Sequence, residues 1–80
     1  MSAVSCSGNS CSVVLAGEGA KVEVLGATIR FQGVQDGRAA LRVGAQDVYC
    51  RQGQNVSTGS LRLECTAVTD DRVEFTASVA

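Results

Sequence analysis

Apolar and polar residues alternate one by one along most of this chain, and a period of two leaves room for little but β-strands. Val22-Glu23-Val24 and Ile29-Arg30-Phe31-Gln32 open the pattern. Ala39, Leu41 and Val43 then share one face, with Arg38, Ala40 and Arg42 on the other. Val48 and Cys50 stand opposite Tyr49 and Arg51, and Leu61, Leu63 and Cys65 stand opposite Arg62, Glu64 and Thr66. Val73, Phe75, Ala77 and Val79 finish the chain against Arg72, Glu74, Thr76 and Ser78. Successive side chains of a strand point to opposite faces, so each run reads as a strand with one side on a core and one in water. No window carries the stripe of an amphipathic helix. Nine glycines interrupt the runs at short intervals, as turns require. Asp36-Gly37 between two alternating runs is a hairpin signal, and Val68-Thr69-Asp70-Asp71-Arg72 reads as a second version of it. The expectation is an all-β fold: a small antiparallel β-sandwich or barrel of about six to eight short strands, forming one domain over residues 1–80.

Two stretches of the chain resemble each other. From Gly19 it reads GAKVEVLGATIRFQGVQDGRAAL, and from Gly53 it reads GQNVSTGSLRLECTAVTDDRVEF. Gly19 matches Gly53, Val22 matches Val56, Val34 matches Val68, and Asp36 and Arg38 match Asp70 and Arg72, all at a shift of 34 residues. Matching Gly26 to Gly59 and Ile29-Arg30-Phe31 to Leu61-Arg62-Leu63 requires the shift to slip in the middle, to 33 and then 32. A duplication would give two similar three-strand halves, whereas chance likeness between two meanders of this composition would give the same fold class without them.

An 80-residue domain buries only about 60% of its unfolded surface, so a covalent device is expected alongside the core. Cys6, Cys11, Cys50 and Cys65 are the candidates. Cys50 and Cys65 fall on the core faces of two strands, and a bridge between them is worth on the order of 3 kcal/mol in chain entropy. Cys6 and Cys11 would close a smaller loop, worth about 2 kcal/mol, and pin the N-terminal segment 1–11 beside the first strand. Four cysteines allow three connectivities, and the rival pairings tie the N-terminal segment to the sheet. A zinc site is the weaker reading, because CSGNSC fits a ligand knuckle only loosely and the chain has no His. Four reduced, buried thiols in a cytosolic protein are the remaining alternative. No metal or cofactor is expected.

Several function classes lose their usual residues. Without His the commonest general base is missing, no one serine is singled out as a partner for Lys21, and the carboxylates read as turn residues or cross-strand partners of arginine. No enzyme is expected. Gly17-Glu18-Gly19 lacks the Gly-Lys-Ser/Thr of a phosphate loop, and Asp36, Asp47, Asp70 and Asp71 lack calcium-loop spacing. With no Trp, the Cys…Trp…Cys core of antibody domains is absent. The net charge is −1 and no basic patch stands out along the sequence, which argues against a nucleic-acid partner. No apolar run reaches the ~20 residues of a membrane span.

What remains is a non-enzymatic binding or structural module acting through a sheet face, an edge or loops; a small cysteine-ligated metal protein and a cytosolic accessory protein with reduced thiols are the alternatives. Tyr49 is the one aromatic expected to face water, with Arg51 on its side of the strand and Arg42 and Arg62 projecting from neighbouring runs. Tyr and Arg are enriched in interface hot spots, so these four are the candidate binding residues for an unidentified protein or small-molecule ligand. The run Val73–Val79 is expected either to pair centrally or to form an edge for a partner strand or a homodimer. Residues 1–15 show neither the charged nor the apolar region of a signal peptide. The paired cysteines nevertheless favour an extracytoplasmic or secreted location.

Overall fold

The structure, a computed structural model, describes residues 1–79. It contains nine strands: β1 (Ser2–Ser7), β2 (Ser10–Ala16), β3 (Lys21–Val24), β4 (Ala27–Gln35), β5 (Arg38–Val43), β6 (Gln46–Arg51), β7 (Asn55–Thr58), β8 (Leu61–Thr69) and β9 (Arg72–Val79). They form two antiparallel sheets, one of five strands in the order β1-β2-β9-β8-β7 and one of four in the order β3-β4-β5-β6. The alternating apolar residues of both sheets meet in one core. Phe31, Phe75, Leu15, Ile29, Leu41 and Leu63 are its largest fully buried members. The core faces match the sequence pattern except at Val79, which is 55% exposed at the end of β9.

Nine strands exceed the expected six to eight, and the difference lies in the first eleven residues. Segment 1–11 is not a tail: β1 and β2 make a hairpin, with Cys6 directly opposite Cys11. Every residue of β1 is exposed, so neither face needed apolar residues and no alternation marked it as a strand. The run Val73–Val79 is not an edge, since β9 pairs with β2 on one side and β8 on the other.

The two three-strand halves are real, and their register is simpler than the sequence match implied. Units β3-β4-β5 and β7-β8-β9 start, turn and bulge at a constant shift of 34 residues. The bulge after Phe31 in β4 recurs after Cys65 in β8. Entry hydrogen bonds repeat as well: the Gly19 amide donates to the Phe31 carbonyl at 2.8 Å, and the Gly53 amide to the Cys65 carbonyl at 2.7 Å. Phe31 donates back to Ala20 at 2.7 Å, as Cys65 does to Gln54 at 3.0 Å. Ile29 therefore corresponds to Leu63, not Leu61. Matching the turn glycines produced the slip, because the two turns differ. Leu25 and Gly26 both have positive φ (51° and 81°), whereas in the second turn only Gly59 does (57°), so the glycines occupy different turn positions. Asp36-Gly37 likewise has positive φ at both residues (56° and 76°), but Asp70-Asp71 has it at neither.

Both expected bridges are present. Cys6–Cys11 crosses the β1–β2 hairpin, and Cys50–Cys65 joins β6 of one sheet to β8 of the other, with Cα atoms 6.3 Å apart. A second link joins the sheets where the Thr58 hydroxyl of β7 donates to the Gln46 side-chain oxygen of β6, which satisfies the buried polar residue Thr58. Two disulfides fit an oxidising, extracytoplasmic setting.

Two stability predictions follow from this frame. Replacing Cys50 and Cys65 together by Ala removes a tie between core strands, worth about 3 kcal/mol, so calorimetry is expected to show a fall in Tm above ~10 °C. Replacing Cys6 and Cys11 by Ala is expected to lower Tm less, because β1 is exposed throughout and only Cys11 of this pair belongs to the core. Leu25 carries the second prediction. It is a branched, exposed residue held at positive φ, where Asn is better tolerated. Leu25→Asn is expected to raise Tm by on the order of 4 °C; an unchanged or lower Tm would contradict the strain.

Candidate functional site

Pairing Cys50 inward fixes its neighbours. Side chains alternate along β6, so burial of Cys50 in the core turns Tyr49 and Arg51 outward. Tyr49 is 55% exposed, as the sequence implied. Arg42 projects from β5 on the same face, beside β6. Arg62 does not join them, because it projects from β8 on the outer face of the five-stranded sheet. Its place near Tyr49 is taken by Arg38, whose guanidinium carbon lies 5.6 Å from the centre of the Tyr49 ring. That is within range of a cation–π contact.

The fold also assembles what no stretch of sequence displays. Five of the chain's seven Lys and Arg, namely Lys21, Arg30, Arg38, Arg42 and Arg51, lie on the outer face of β3-β4-β5-β6. Register places them in two cross-strand rows. One runs Lys21–Arg30–Arg42–Asp47, and the other runs Gln35–Arg38–Arg51. Three neighbouring pairs in these rows bear like charge: Lys21 with Arg30, Arg30 with Arg42, and Arg38 with Arg51. Like charges directly opposite one another destabilise a sheet. Asp47 offsets part of this through an ion pair with Arg42 at 3.2 Å, and Arg51 reaches the Asp36 carbonyl at 3.5 Å.

Between the two rows the third runs Gly33–Ala40–Tyr49. Small residues at its floor leave a shallow strip flanked by arginines and ended by the Tyr49 ring. At the Gly33 end the strip meets a hollow of about 390 Å³, lined in part by Glu18, Asp70 and Asp71. The face is thus cationic along its two rows and acidic at the hollow by Gly33.

The cysteines all sit in disulfides, and among the described residues no group of three or more His, Cys, Asp or Glu converges to hold a metal ion. No helix of the described chain is long and apolar enough to cross a membrane. Sequence reasoning missed Arg30, Arg38 and Lys21 as members of the face. Their outward parity was legible, but the order of the strands was needed to bring them together. No family model, curated protein or solved structure matches the chain.

The opposed cations make a direct prediction about stability. Arg30 stands between two of them, so Arg30→Thr removes two repulsions while keeping a good strand former. The variant is expected to be more stable than the parent by a few tenths of a kcal/mol at low ionic strength. The gain should shrink toward zero at ~1 M salt, where screening acts over about 3 Å. Urea titrations at both salt concentrations check this, and a destabilised variant would show that Arg30 is held by contacts rather than repelled.

Proposed function

We propose that this protein is a non-enzymatic binding module that takes an acidic glycan on the outer face of β3-β4-β5-β6. The observation that carries this reading is the set of three like-charge cross-strand pairs on one face. A surface under no demand but stability has no use for Lys21, Arg30 and Arg42 in a row, or for Arg38 opposite Arg51. A bound polyanion relieves those repulsions, so the face is more stable when occupied or screened than when bare.

The remaining chemistry supports a glycan with carboxylate or sulfate groups. Arginine presents a planar fork that meets such oxygens through two parallel hydrogen bonds, and four arginines surround the strip. Tyr49 offers a flat, exposed ring at the end of the strip, on which one face of a sugar ring can lie. The disulfides favour a polyanion met outside the cytosol over a nucleic acid. The acidic hollow by Gly33 bounds the face and directs an anionic chain along β5 and β6.

Titration calorimetry with sulfated and with uronate oligosaccharides tests the reading. Binding is expected with at least one of them, weakening steadily as salt rises. Tyr49→Ala and Arg38→Ala are each expected to weaken it by roughly tenfold, while Arg62→Ala leaves it unchanged. Equal loss with Arg62→Ala would show that charge alone, not this face, is recognised. Tighter binding of a single-stranded oligonucleotide of equal charge would replace the glycan with a nucleic acid.

A further inference from the structure

β1 differs from every other edge in this protein. An edge strand presents unpaired amides and carbonyls that template pairing with another chain, and native proteins blunt such edges by shortness, charge, Pro or cover. β7, Asn55–Thr58, and β3, Lys21–Val24, are four residues each, and β3 adds Lys21 and Glu23. β6 carries Asp47 and Arg51 and is tied to β7 through the Gln46–Thr58 hydrogen bond. β1, reading Ser2-Ala3-Val4-Ser5-Cys6-Ser7, has six residues, no charge, no Pro and no bulge. β3 approaches it but forms no ladder with it.

The hydrogen-bond parity of β1 shows which groups its outer edge offers. Met1 and Ala16 exchange both backbone bonds, at 2.7 and 2.8 Å. In an antiparallel pair such bonded positions alternate with unbonded ones, so Ala3, Ser5 and Ser7 spend their amides on β2. Ser2, Val4 and Cys6 therefore direct their amides and carbonyls away from it. Cys6 and Cys11 are a facing, unbonded pair, and their disulfide fastens β1 to β2 at the turn end. That bond ties an exposed residue, Cys6, to a buried one, Cys11. What it does is hold an otherwise fraying strand in a fixed, extended position.

We propose that β1 is a preorganised strand-addition interface, and that its occupant is a second copy of this chain, joined by antiparallel β1–β1 pairing across a two-fold axis at Val4. With the axis at Val4, each Val4 exchanges both backbone bonds with the other, and Ser2 of each copy does the same with Cys6 of its mate. Every outward group of Ser2, Val4 and Cys6 is satisfied in this register. A two-fold contact needs a self-complementary surface, and an uncharged strand of Ser, Ala, Val and Cys offers no repulsion to itself. The Val4 side chain, 47% exposed, then meets its own copy. The two five-stranded sheets become one continuous ten-stranded sheet, with the cationic faces left open at either end. This inference does not depend on the glycan reading.

Sedimentation velocity of the oxidised protein from ~10 µM to ~1 mM tests it, since a single strand pair buries little area and gives weak association. The mean mass is expected to climb toward twice the monomer. Val4→Pro removes an amide that only the dimer uses, so it should stay monomeric with an unchanged melting curve. Ser5→Pro removes an amide that β2 uses and should loosen the hairpin instead. A second pair keeps the register testable without Pro. Val4→Lys and Val4→Glu should each dimerise at least tenfold more weakly than the parent, and an equimolar mixture should associate at least tenfold more tightly than either alone. A parent that is monomeric throughout, a Val4→Pro variant that dimerises like the parent, or a mixture no tighter than its components would overturn the proposal.

Discussion

The Cys50–Cys65 bond is the constraint from which most of this architecture follows. It joins the last strand of the four-stranded sheet to β8, an interior strand of the five-stranded one, through two residues with no exposed surface. A domain of this size, with only three aromatic residues, has a core built mainly of Val, Leu, Ile and Ala. Such a core has modest depth, and a bond that limits the unfolded chain contributes a large share of a small net stability. The same bond sets the parity of β6. Because Cys50 must point inward, Tyr49 and Arg51 must point outward, and the candidate binding face is oriented by the staple beneath it.

The core is made of one unit used twice. β3-β4-β5 and β7-β8-β9 share strand starts, bulge position and entry hydrogen bonds at a constant shift. Each needs a fourth strand to complete its sheet. The first half takes β6, which follows it in sequence, and the second takes β2, which precedes both halves. The chain thus closes its second sheet with its own beginning. Cys65 occupies the place that Phe31 holds in the first half, so one half is fastened covalently where the other relies on an aromatic side chain. β1 belongs to neither repeat and forms one edge of the five-stranded sheet.

Two features run against stability and share a logic. Opposed cations on the outer face of β3-β4-β5-β6 weaken the sheet that carries them. An uncharged, unblunted edge invites association in a protein that otherwise shortens or charges its edges. Neither feature is needed for the fold, since removing Arg30 or fraying β1 leaves the buried set intact. Each is a local inconsistency that the proposed binding face and the proposed strand pairing would account for.

Period-two alternation by itself determined the all-β class, the core residues from Val24 onward and the outward parity of Tyr49, Arg42, Arg51 and Arg62, but not Cys11, Val13 and Leu15 of β2. It did so because burial acts on single residues, and a strand shows its buried side in every second letter. The placement of Cys50 and Cys65 on the core faces of two strands likewise favoured the pairing that the structure shows, while the sequence alone left three connectivities open. The existence of β1 was not legible, because a strand exposed on both faces has no pattern to display. The register of the repeat was obscured by glycines that serve different turn positions. Above all, the sequence could not say that Arg62 lies on one sheet while Lys21, Arg30 and Arg38 join Arg42 and Arg51 on the other. That depends on which strands are neighbours, and neighbourhood is decided by backbone pairing between segments far apart in the chain, which leaves no mark on the residues in between.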